Sequence, residues 1–231
     1  MAHFDYEKYY EHYWEEEHIQ RGMEYYDLRY NHIKSFIRPA DKMKVLDVGG
    51  GNGQLLEWLH INNGTVLDIS KSGLKEARQR GYKTVQADVQ KKYPVPESSF
   101  DAVICFETIE HIEKPVDMLR QIKRCLKPGG VLVLGVPNLP ADGVHHKKRW
   151  YLGDALEALG GAGLKVSEVR YTPGFLEKET FSQMIKLKSI KKFFIHTAAY
   201  GLRLLPFGLK LRFASRMPDR FAMIFIIKAV K

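Results

Sequence analysis

Cysteine is scarce in this chain: two in 231 residues, Cys105 and Cys125. That excludes a disulfide-stapled scaffold, and both thiols read as buried and free. Long hydrophobic runs are missing as well. No stretch reaches the roughly 18 apolar residues of a bilayer-spanning helix. The best one, residues 193–209, is broken by His196, Arg203 and Pro206. The start, Met1-Ala2-His3-Phe4-Asp5, lacks a basic region followed by an apolar core, so no signal peptide and a cytoplasmic location are expected. Repeats and low-complexity tracts are absent. One absence is local. Residues 180–218 hold eight Lys and Arg side chains and no Asp or Glu, whereas residues 1–40 hold eight acidic and five basic ones.

What is present is ordinary in bulk, with 45% hydrophobic and 27% charged residues and a formal net charge of +9. The length suits one α/β domain with a sizeable core. From residue 43 to 136 short apolar runs alternate with helical segments, the pattern of a parallel sheet. The expected strands are 45–48, 65–68, 84–87, 100–106 and 131–134, with a helix ending in Leu126-Lys127-Pro128-Gly129-Gly130 before the fifth. The connection 91–99 carries two prolines and reads as loop. A helix is expected at 151–161, ended by Gly160, Gly161 and Gly163, and the last two strands at 164–171 and 221–230.

The most informative junction is Val45-Leu46-Asp47-Val48 followed by Gly49-Gly50-Gly51-Asn52-Gly53. It reads as a buried strand entering a tight turn that opens a helix, where backbone N–H groups approach a ligand closely. A dinucleotide fingerprint, G-x-G-x-x-G, would need glycine where Gln54 stands; the pattern here is G-x-G-x-G. Asp68 closes the second apolar run, placed to accept ribose hydroxyl protons. Asp88 follows the third.

These elements together resemble the class I S-adenosylmethionine (SAM)-dependent methyltransferases. The matching segments are VLDVGGGNG, VLDIS, QADV, FDAVICFETIEHI and LKPGGVLVLGVPN. The resemblance implies a Rossmann-like α/β fold: a seven-stranded, mostly parallel sheet with an antiparallel last strand and helices on both faces. It also implies SAM as cofactor. Asp47, Gly49, Gly51 and Gly53 would build the turn under the methionine and ribose portions. Asp68 would serve the ribose, Asp88 and the Val89 backbone the adenine, and Phe106 the sulfonium side, with Ile69 also a cofactor-binding residue. The middle glycine position is often Cys or Ser in relatives and is Gly50 here. Residues 28–33 are similar to a segment of the ubiquinone-pathway O-methyltransferases in which an arginine reaches the cofactor's carboxylate. Arg29 would take that place, or else be a solvated helix arginine.

Glu107-Thr108-Ile109-Glu110-His111 follows the fourth strand. If helical, Glu107, Glu110 and His111 share one face. Three readings stay open: a divalent-metal site, similar to that of the ubiquinone-pathway enzymes; a general base at His111; or a helix-start element. No metal is expected. His145 and His146 follow the fifth strand, where ligands bind in open parallel sheets, and are further candidates for the base.

The chain is expected to be one domain, 1–231. Residues 1–40 form an aromatic helical lid or sheet cap, 41–174 the cofactor-binding core, 175–220 a basic helical insertion and 221–231 the last strand. In the insertion, Leu187, Ile190, Phe193 and Phe194 fall opposite Lys188, Lys191 and Lys192, while Lys186 spoils the division. This suits an anionic membrane surface at the inner membrane face, or a cover over the substrate pocket. No RNA-binding motif accompanies the charge, so nucleic acid is not expected. The function expected is SAM-dependent methylation of oxygen on a small-molecule, glycan or lipid-linked acceptor. The alternatives are a non-catalytic scaffold of the same fold and a nucleotide-dependent oxidoreductase. Oligomeric state is open.

Overall fold

The computed structural model describes residues 5, 7–11, 23–138, 149–173 and 222–231. Residues 7–11 are helical, and α1 spans Met23–Ile37. Then come β1 (Val45–Val48), α2 (Gln54–Trp58), β2 (Gly64–Asp68), α3 (Lys71–Gln79), β3 (Lys83–Gln86) and β4 (Phe100–Phe106). A 3-10 turn, Ile109–His111, leads into α4 (Pro115–Cys125), β5 (Leu126–Pro137), α5 (Leu152–Gly161), β6 (Lys165–Pro173) and β7 (Ala222–Val230). The seven strands form one sheet in the order β3-β2-β1-β4-β5-β7-β6. β1 to β5 pair in parallel; β7 runs antiparallel to both β5 and β6.

The apolar runs read as strands because both faces of the sheet are covered. Alternate residues of a strand point to opposite faces. Leu46, Val48, Val103, Cys105, Leu132 and Leu134 pack toward Met118, Leu119 and Ile122 of α4 and Ala155 and Leu159 of α5. Val45, Val66, Ala102, Ile104 and Val133 pack toward Ile33, Phe36 and Ile37 of α1, Leu56 of α2, and Leu74 and Ala77 of α3. Each Val, Leu, Ile, Phe or Met among them contributes about 1.5–3 kcal/mol when fully buried. Cys105 and Cys125 are buried and free.

One expected element differs in kind. Leu126–Gly130 does not end a helix: α4 stops at Cys125 and β5 begins at Leu126. Pro128 has no N–H to continue a helix. Instead Leu126 pairs with Phe100 and Val131 with Ala102, so residues 127–130 bulge opposite Asp101 alone. Gly129, at φ 74°, turns the bulge. Among the strands the other differences are of one to three residues: β3 is Lys83–Gln86 rather than 84–87, β5 runs on to Pro137 rather than 134, and β6 reaches Pro173. Beyond α5, Gly163 takes φ 71° and ends the helix as expected.

Among the described residues, no helix is long and apolar enough to cross a membrane. His145, His146 and the basic stretch 180–218 lie outside the described residues.

Candidate cofactor and acceptor site

The glycine turn sits at the carboxyl end of β1. Gly49, Gly51 and Gly53 adopt φ 73°, 51° and 74°, which side-chain-bearing residues avoid. Gly50 is constrained differently. A Cβ there would lie 2.5 Å from the Asp47 carboxylate, so in this arrangement a larger residue would push against Asp47. At Gly49 a Cβ would meet the Thr108 hydroxyl at 2.5 Å. The turn is tied to β2 by the Gly49 amide, which donates to the Leu67 carbonyl at 2.7 Å.

Asp68, at the end of β2, is held rigidly. The Gly51 amide donates to its Oδ2 and the Ser70 amide to its Oδ1, both at 2.9 Å. Burial raises its carboxyl pKa and these amides counter that. A carboxylate has about four lone-pair sites, so two amides leave room for ligand hydroxyls. Asp47 is also buried, and its Oδ2 finds no hydrogen-bond donor among the described residues. Burial, then the nearby Asp68 charge, push its carboxyl up to about 7. Asp88 accepts the Gln90 amide through Oδ1 at 2.9 Å.

A cavity of about 510 Å³ opens at this edge of the sheet. Of the expected cofactor residues, Gly49, Asp68, Ile69, Asp88 and Val89 line it. Asp47, Gly51 and Gly53 stand behind it as the frame of the turn. Phe106 is placed elsewhere: a Cβ at Gly135 would collide with its ring, and it packs into the core layer of α1. Arg29 lies behind the wall, fully buried, and its Nη1 donates to Glu107 Oε1 at 2.7 Å.

The face that residues 107–111 would share in a helix does not form. Glu107 has φ 51° and only Ile109–His111 makes a 3-10 turn, so the i, i+4 geometry is lost. Glu107 lines the cavity and pairs with Arg29. Glu110 turns inward, where burial first, and the Glu107 charge second, push its carboxyl well above the usual carboxylate range. His111 lines the cavity, with Nε2 3.7 Å from Glu110 Oε1. Among the described residues, no group of three or more His, Cys, Asp or Glu side chains is placed to hold a metal ion.

Several neighbours carry no signal in the sequence. Asp5, Glu7 and Tyr10 border the cavity, and the Tyr10 ring meets His111 edge-on at 6.0 Å. Thr108 completes the wall against Gly49. The aromatic density of the N-terminus pointed to a covering segment but could not name which residues reach the site.

The family model for the methyltransferase domain matches residues 46–134. A ubiquinone biosynthesis O-methyltransferase of Xanthomonas axonopodis pv. citri is 30% identical over 172 residues, 62% of this chain and 70% of that protein. The chain belongs to the class I SAM-dependent methyltransferases. Another methyltransferase of the family, the ubiquinone biosynthesis O-methyltransferase of Leptothrix cholodnii, is 31% identical over 48% of this chain and 51% of its own length. The chain thus spans about half the length of this and other curated relatives it matches. The crystal structure of an S-adenosylmethionine dependent methyltransferase from Mesorhizobium loti shares the fold, with a TM-score of 0.61 at 16% identity, covering 88% of this chain and 98% of that one.

Proposed function

We propose that this protein binds SAM and methylates oxygen on a small-molecule, glycan or lipid-linked acceptor. One observation carries the reading. A single cavity joins the Gly49 turn, Asp68 and Asp88 on one side to the imidazole of His111 on the other. When bound, SAM supplies an electrophilic methyl group on a sulfonium. The chain's own residues then have three tasks. Asp68, fixed by two backbone amides, accepts the ribose hydroxyls. Asp88 and the Val89 backbone address the adenine. His111 takes the proton of an acceptor hydroxyl, since imidazole titrates near neutral pH. The names of the relatives support an oxygen acceptor; the basic, apolar-rich stretch 180–218 supports a lipid-linked or glycan one.

Calorimetry with SAM and with NADH tests the cofactor. SAM should bind and NADH should not. Asp68→Ala removes a charge-assisted hydrogen-bond acceptor and should weaken SAM about 10- to 150-fold, equivalent to roughly 1.5–3 kcal/mol. Binding of NADH but not SAM would replace this reading with a nucleotide-dependent oxidoreductase.

A further inference from the structure

The wall of the cavity next to the glycine turn carries an ion pair of unequal exposure. Arg29 is 0% exposed and the Glu107 side chain 34%. The guanidinium therefore stands behind and the carboxylate in front, open to the cavity that Glu107 lines. Glu107 also holds a left-handed backbone, φ 51°, that residues with side chains seldom adopt. Two contacts maintain it: the Glu107 amide donates to the Gly135 carbonyl at 3.2 Å, and Arg29 Nη1 donates to its side chain at 2.7 Å. Outliers of this kind persist where the surroundings over-determine them, commonly at ligand sites.

The position selects the ligand atom. Thr108, next in the chain, abuts Gly49, the residue that begins the turn. Asp68 and Asp88, at the ends of other strands, face the nucleoside portion. Glu107 thus stands at the amino-acid end of the cavity. That end of SAM carries an ammonium with three donors and no acceptor, which requires an oxygen partner. Of the other carboxylates nearby, Glu110 is turned into the protein, Asp68 is held by the turn's amides, and Asp5 and Glu7 border the cavity from the N-terminal segment rather than beside Gly49.

We propose that Glu107 receives the α-ammonium of the cofactor's amino-acid end, and that Arg29 is its positioning residue rather than a cofactor ligand. This rests on the reading that the site takes SAM. The full chain and its Glu107→Gln variant would be titrated with three ligands by calorimetry. These are SAM; S-adenosylhomocysteine, which keeps the ammonium but has no sulfonium; and 5′-methylthioadenosine, which lacks the amino-acid end. The variant should lose about 10- to 100-fold in affinity for the first two alike, as for one charge-assisted hydrogen bond. It should bind 5′-methylthioadenosine as wild type does, which also shows that the variant is folded. Arg29→Met should give the same split, more weakly.

Equal loss for all three ligands would mean a general structural role and overturn the proposal. Loss for SAM alone would assign Glu107 to the sulfonium. Unchanged affinity, or tighter binding because Glu107 competes with the cofactor's carboxylate for Arg29, would overturn it equally. In each of these cases wild type still binds SAM, and the methyltransferase reading stands. If wild type binds none of the three ligands, both readings fail.

Discussion

At the scale of single residues, Asp47 shows what a position in the fold can do to a carboxyl group. The unfolded chain would ionise it near 3.9; burial and the Asp68 charge raise it to about 7. Below pH about 4 it is protonated in both states. Between about 4 and 7 only the folded state keeps the proton, so the stability it contributes falls as pH rises and is gone above about 7. Asp47→Asn removes this dependence. Comparing the two proteins by denaturant unfolding, the variant should gain on wild type by roughly 2–3 kcal/mol between pH 5 and pH 8. The raised Glu110 carboxyl acts in the same direction but is common to both and cancels. A gap that does not change with pH would mean that Asp47 is ionised in the fold throughout. The sequence placed the glycines at a turn after β1 and Asp68 at the end of β2, as the structure has them, because backbone needs are local. It could not show which of them face the cavity, since that depends on strands 20 to 60 residues apart.

At the scale of elements, the segment 7–11 and α3 are joined by a contact that no periodicity announces. The first turn of α3 has backbone N–H groups with no partner in the helix. Ser70 caps one, accepting the Gly73 amide at 3.1 Å. Glu11 takes two more, from Lys71 and, at 3.0 Å, from Ser72. Burial alone would raise the Glu11 carboxyl, but the hydrogen bonds from Ser72 and Lys71 outweigh it and hold it below its ordinary value. Glu7 adds an ion pair with Lys71 at 3.4 Å. Because Asp5, Glu7 and Tyr10 border the cavity, this contact would fasten a cover over it. Glu11→Gln keeps the size but loses the charge that favours a helix N-terminus. It should speed SAM dissociation about two- to five-fold in stopped-flow experiments, matching the usual 0.3–1 kcal/mol of such a charge. An unchanged rate would show that the segment does not retain the ligand. The same scale explains two segments. Residues 107–111 would share a face if helical, but the amide of Glu107 follows β4 by bonding to Gly135 of β5. Leu126–Gly130 looked like a helix end, but its pairing with β4 made it strand.

At the scale of the whole molecule, the charge is divided along the chain: the net is +9, yet residues 1–40 are acidic on balance and residues 180–218 wholly basic. If the basic stretch meets an anionic bilayer, each Lys or Arg near the surface contributes about 1 kcal/mol. Vesicle co-sedimentation should show binding to anionic but not neutral vesicles. Salt should release it as the Debye length falls from about 10 Å at 0.1 M to about 3 Å at 1 M. Changing Lys188, Lys191 and Lys192 to Gln should weaken vesicle binding without affecting SAM. Indifference to anionic vesicles at low salt would favour a pocket cover and a soluble acceptor. By itself the sequence determined the α/β class, the order of strands and helices, the glycine turn and the acidic residues that close β2 and follow β3. These follow from hydrophobic period, glycine's access to positive φ and turn chemistry, all of which act over a few residues. Only the tertiary structure decided that Arg29 stands behind Glu107, that Phe106 packs against the core layer of α1, that Glu110 is buried, and that Tyr10 meets His111. Those pairings join residues from separate elements, and burial, which raises the carboxyls of Asp47 and Glu110, exists only once the sheet and its covering layers have closed around them.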